Sequence, residues 1–226
     1  MIPLGYYIVR RSGEKPRPSW TAPEYLTVAG CLCEGVLPGL ESASFDGEGI
    51  RREWELPPRE ARRLYDFTQE QCMHINYELF HIFLDYDTPA RICREFFKGR
   101  TDVLIIALCS NDTRFLEAPG VSNVAHLPEN AELLGWDLYE IGDYVEEGEP
   151  LLPLDCHRQG TLRALGLGCT FCCCDTDGVL PKRLGIRLNS HGMYPDEPAA
   201  RKAAEIVNSE RLGEPCHYLP FALLRC

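Results

Sequence analysis

The chain has no apolar run near the roughly 20 residues that a membrane helix needs; its longest runs from Val103 to Cys109. No membrane role is expected. It also lacks an excess of positive charge: Asp plus Glu number 34 against 23 Lys plus Arg, a formal net charge of −11. The field of such a chain repels a phosphate backbone, so direct nucleic-acid binding is not expected either. No fixed-period repeat and no low-complexity tract occurs, which excludes solenoids, coiled coils and long disordered linkers. The G-x-S-x-G, H-E-x-x-H and P-loop signatures are missing, and Gly166-Leu167-Gly168 is too short to cradle a phosphate. The segment Met1 to Arg11 places its apolar run before its basic pair and has no small-residue cleavage site, the wrong order for a secretory leader. A cytoplasmic protein is expected.

Cysteine, by contrast, is abundant, with 12 in 226 residues. A reducing compartment disfavours a disulfide framework, and a chain that is 45% hydrophobic can build its core without staples. Cys169, Cys172, Cys173 and Cys174 fall within six residues. A thiolate can ligate zinc or attack an electrophile, whereas a buried thiol acts as a small hydrophobe. Cys169-x-x-Cys172 has a spacing that lets two sulfurs meet one tetrahedral ion, with Cys174 and His191 as candidates to complete a zinc site. Other candidate ligands are Cys31, Cys33, Cys156, His157, Cys216 and His217, none of which supplies a second short-spaced hook. The competing reading is that the cysteines fill small gaps in the core. No catalytic residues are assigned.

Carboxylates gather at Glu129, Glu132, Asp137, Glu140, Asp143, Glu146, Glu147 and Glu149. Such a stretch suits either a solvated surface or a face complementary to a basic partner protein, since complementary charge steers association. Asp175-Thr176-Asp177-Gly178 opens like a calcium loop, but Ile186 stands where the bidentate acid belongs, so a turn is expected.

The periodicities predict a mixed α+β fold, as one globular domain over 1–226 or two closely packed subdomains, 1–110 and 130–226, divided at a turn-rich stretch. Strands are expected at Tyr6 to Arg10, at 102–109 with both faces covered, over 133–144 as one strand or a strand pair, at Leu184 to Leu188, and at Tyr218 to Arg225. Pro220 marks the last as an edge strand. Helices are expected from Arg59 to Cys72, from Ala90 to Lys98 with Thr88 as cap and Pro89 at the first position, and to about Asn208 after Asp196. A further apolar-periodic piece covers Ile75 to Leu84.

Leu134-Gly135-Trp136-Asp137, then Leu188-Asn189-Ser190-His191-Gly192-Met193-Tyr194 before a helix, and Pro215-Cys216-His217-Tyr218-Leu219-Pro220-Phe221 resemble motifs of uncharacterised bacterial proteins associated with the immunity proteins of polymorphic toxin systems. The likeness covers 134–226 and departs from the pattern at the cysteine cluster. It implies a non-enzymatic inhibitor that binds and occludes a cognate toxin, or another basic protein, and it carries no catalytic residues. Read physically, Gly135 permits a tight backbone, while Asn189 and Asp196 cap or turn.

Overall fold

The computed structural model describes residues 1–10, 54–70, 75–76, 82–117, 126–143, 179–189, 193–210 and 216–226. Their strands are β1 (Ile2–Arg10), β2 (Ile75–Asn76), β3 (Ile82–Phe83), β4 (Val103–Ser110), β5 (Glu132–Asp143) and β6 (Cys216–Arg225). Their helices are α1 (Pro58–Glu70), α2 (Asp87–Phe96), α3 (Val179–Leu184) and α4 (Glu197–Glu210). The protein has an α+β fold. One sheet runs in the order β2-β3-β1-β4-β6-β5, with every pairing antiparallel. Strands from both sides of the turn-rich 110–130 stretch are therefore neighbours in a single sheet.

β4 lies at the centre, and its residues from Ile105 to Ser110 are all buried, as an unbroken apolar strand demands. One face of the sheet packs against helices. Tyr6, Ile8, Ala107, Trp136, Ala222 and Leu224 meet Ala61 and Leu64 of α1, Ile92 of α2, and Ala200, Ala203, Ala204 and Val207 of α4 in one core. The alanine stripe of α4 lets that helix sit close to the large side chains of Trp136 and Tyr218. α1 and α2 join through stacked rings and cations: Arg91 lies 4.4 Å from the Phe67 ring centre and Arg63 lies 5.3 Å from that of Phe96.

Helix starts follow side-chain capping. Asp196 accepts the Ala199 N–H at 2.9 Å and launches α4, as expected. The start of α2 differs from expectation: Asp85 takes the capping role, accepting the Thr88 N–H at 2.7 Å and the Thr88 hydroxyl at 3.1 Å. Thr88 thus sits inside the first turn. Ile75 to Leu84 contributes the two short strands β2 and β3. Residues 184–188 are not a strand, because Gly185 at φ +65° ends α3 and Ile186 donates back to the Pro181 carbonyl.

β6 departs furthest from the expected arrangement. It lies between β4 and β5 and is not an edge strand. Trp136 directs its N–H and C=O away from β6, to Tyr194, at 3.0 and 2.9 Å. Two residues on, Leu138 and its partner Pro220 form another pair without mutual backbone bonds. Pro220 therefore turns its nitrogen toward the β4 side, where the β4–β6 register has already ended at Cys109–Ala222. A missing N–H costs nothing there. At Tyr218, still farther along, the Asn208 side chain replaces the absent strand: its amide donates to the Tyr218 carbonyl at 2.9 Å and accepts the Tyr218 N–H at 2.8 Å.

On its other side β5 meets Asn189, Met193 and Tyr194. Asn189 donates to the Leu134 carbonyl at 2.7 Å and accepts the Met193 N–H at 3.1 Å. The contact passes over Gly135, where a Cβ would lie 2.6 Å from the Met193 Cβ and 2.7 Å from the Asn189 amide nitrogen. Gly135→Ala is expected to lower stability by about 1–3 kcal/mol through this overpacking. Urea denaturation checks it, and an unchanged midpoint would show that Asn189 and Met193 do not press on Gly135.

Candidate functional site

The acidic stretch begins at a turn in which the Ala131 N–H donates to the Pro128 carbonyl at 3.0 Å. Glu129 is exposed on this turn. Glu132 opens β5 directly opposite Arg225, and the two side chains form an ion pair. With the Glu132 side chain 58% exposed, the pair stands in water and contributes at most about 1 kcal/mol. Leu133 beside it is 45% exposed, so an apolar residue accompanies the acids at this end of the sheet.

Asp137 departs from the expected surface role. It is only 3% exposed, and its carboxylate accepts the Leu138 N–H at 2.8 Å. Among the described strands β5 is the outermost on this side and that N–H faces outward, so the Asp137 carboxylate satisfies a donor of the sheet edge. Glu140 and Asp143 take their places on β5 opposite Tyr218 and Cys216. Glu132 and Asp143 stand at opposite ends of β5, a span of roughly 35 Å for a strand of this length. Glu146, Glu147 and Glu149 lie outside the described residues. Of the expected face, Glu129 and Glu132 are the members placed together on an exposed end.

The expected zinc ligands Cys169, Cys172, Cys174 and His191 lie outside the described residues, as do Cys173, Cys31, Cys33, Cys156 and His157. Among the described residues no group of three His, Cys, Asp or Glu side chains is placed to hold a metal ion. Three thiols are described in full, and all are free: Cys93 on α2, Cys109 in β4 and Cys226 just past β6. Burial pushes Cys93 and Cys109 up to about 12. Burial also raises Cys226, to about 11, with a backbone hydrogen bond at Ala107 opposing it. A thiol acts as a nucleophile or ligand through its thiolate, so all three are chemically quiet near neutral pH. Burial likewise holds the Tyr6 and Tyr7 phenols above their ordinary range, and the Tyr6 hydroxyl donates to the His126 carbonyl at 3.1 Å.

Two residues that shape this region escape a reading of the sequence. Arg225 is the counter-charge to Glu132, and only the antiparallel register, which pairs residues 93 positions apart, reveals it. Asn208 stands in for a strand; its one local signal is a polar amide following the apolar stripe of α4. No protein-family model, no curated protein and no solved structure matches the chain.

The three thiols give a double prediction. At pH 8, alkylation of Cys109 in the native chain should be at least about 100-fold slower than in urea, read by peptide mass spectrometry. The folded-state thiols ionise above the ordinary value of 9.0. Their contribution to stability is therefore complete below pH 9 and falls as the pH rises toward 11–12. The urea midpoint should drop between pH 8 and pH 10.5; a constant or rising midpoint would contradict the burial of these groups.

Proposed function

We propose that the protein is a non-enzymatic, cytoplasmic binding protein of the immunity type, which occludes a cognate bacterial toxin or another basic protein. The observation that carries this reading is the net charge of −11 together with the exposed Glu129 and Glu132 at the start of β5. The resemblance of the 134–226 motifs to those of uncharacterised bacterial proteins associated with immunity proteins supports it: Leu134-Gly135-Trp136-Asp137 lies in β5, and the Asn189 amide is bonded to that strand at Leu134. These residues build a scaffold and bring no chemistry of their own. Among the described residues no helix is long and apolar enough to cross a membrane.

Opposite charge across an interface speeds encounter and fixes partner choice, and salt screens it. The partner expected is the product of the reading frame immediately upstream. Binding to that product should weaken at least about tenfold between 50 and 500 mM salt, and Glu129→Lys with Glu132→Lys should weaken it further at low salt. Calorimetric titration reads both effects. No complex at either salt concentration rules the reading out.

A second reading rests on a different observation, the Cys169-x-x-Cys172 hook with Cys173 and Cys174 beside it. In that case the protein is a zinc-stabilised module or a thiol-dependent enzyme. One zinc per chain after purification without chelator, with about four thiols released for labelling by chelation, would favour it.

A further inference from the structure

The two ends of the chain repeat one another in space. Leu108 on β4 stands opposite Leu223 on β6. A twofold rotation normal to the sheet at that pair carries β4 onto β6, with Ala107 falling on Ala222 and Cys109 on Leu224. The same rotation carries β1 onto β5. Gly5 and Gly135 both have φ +154°. Both follow a register shift, at Pro3/Gly5 and at Leu133/Gly135, and they face Leu108 and Leu223 respectively. A bulge at the same point of two strands is a shaped feature rather than an accident of pairing.

The correspondence continues along the chain. Each bulge glycine precedes a buried aromatic residue, Tyr6 or Trp136, paired across to a second aromatic, Phe83 or Tyr194. Two residues after that second aromatic stands the capping aspartate, Asp85 or Asp196, and each accepts the N–H three positions on. Each then opens a helix that packs on the same face of the sheet and leads to the central strand, α2 to β4 and α4 to β6. Spacings between equivalent residues differ from element to element: Gly5 and Gly135 are 130 apart, Phe83 and Tyr194 are 111 apart, and Leu108 and Leu223 are 115 apart. Insertions between elements thus hide any fixed period.

We propose that the chain is two tandem copies of one unit, residues 1–117 and 126–226, each made of a bulged strand, a residue paired to its outer side (in a short strand or a single bridge), a capped helix and a central strand, docked as the subunits of a homodimer dock. β4 and β6 are the reciprocal interface, which is isologous: each unit offers the same strand, in the same orientation, to the other. Tyr7 and Asp137, both buried, occupy equivalent places, so the copies have diverged in what they bury on the face away from the helices.

If the units are complete in themselves, their order along the chain does not matter. Circular permutants test this in the full set of residues. Cys226 lies level with Ile105 and hence with Ile8, so a linker must cross two strand spacings and run back to Met1, about 25 Å in all. Gly/Ser linkers of about 16 and about 24 residues, with an average reach of roughly 20–29 Å, suffice. One pair of permutants opens the chain at Gly120, between the units; the control pair opens it at Lys98–Gly99, an exposed turn between α2 and β4 and inside one unit. Permutants opened between units should unfold cooperatively with a Tm within about 5 °C of the parent, and those opened inside a unit should lose about 10 °C or more. Equal midpoints for the two openings at both linker lengths, or a greater loss for the opening at Gly120, would overturn the proposal.

Discussion

Antiparallel pairing of β4 with β6 is the contact on which the rest of the molecule depends. It binds a strand from the middle of the chain to one at its end, and the hydrogen bonds run between residues more than 100 positions apart. Apolar burial makes this pairing worth its chain entropy, since Ala107, Leu108, Ala222 and Leu223 are at most 1% exposed. The helices cover one side because α2 leads into β4 and α4 leads into β6. Each helix therefore falls back on the strand that it feeds.

At the outer strand the same economy of backbone groups applies. Among the described residues β5 has β6 on one side and no full strand on the other, and an open row of N–H and C=O groups is a liability. Three devices close it: the Tyr194 bridge at Trp136, the Asn189 amide on the Leu134 carbonyl, and the Asp137 carboxylate on the Leu138 N–H. Asn208 does the equivalent work on β6 beyond the end of β4. Leu134, Trp136, Asp137, Asn189 and Tyr194 are thus largely occupied in holding an edge shut. Glu129 and Glu132, at the entrance to β5, are turned to solvent.

Much of this fold is legible in the sequence where one local cause dominates. The continuous apolar run of β4 announces a strand buried on both faces, and Asp196 announces its helix, because burial and capping act within a few residues. Misreadings arise where a distant partner decides. Pro220 signals an edge only if both sides of its strand are paired; β4 ends before reaching it, so the proline sits harmlessly inside. Leu184 to Leu188 alternates like a strand, yet Gly185 in a left-handed turn ends a helix there. Asp137 belongs to an acidic run and is nonetheless buried, because its own strand needs an acceptor. The twofold correspondence is invisible to a search for fixed periods, since its spacing changes at each element. The exposed pair Glu132 and Arg225 becomes visible only once the register is known.

Protection by binding would show itself in growth. The reading frame immediately upstream is induced in a bacterial host with and without this protein, and colony-forming units are counted. Its product alone is expected to arrest growth and co-expression of the chain to restore it, with the restoration weakened by Glu129→Lys and Glu132→Lys. Arrest that persists despite full expression of the chain would contradict protection by binding.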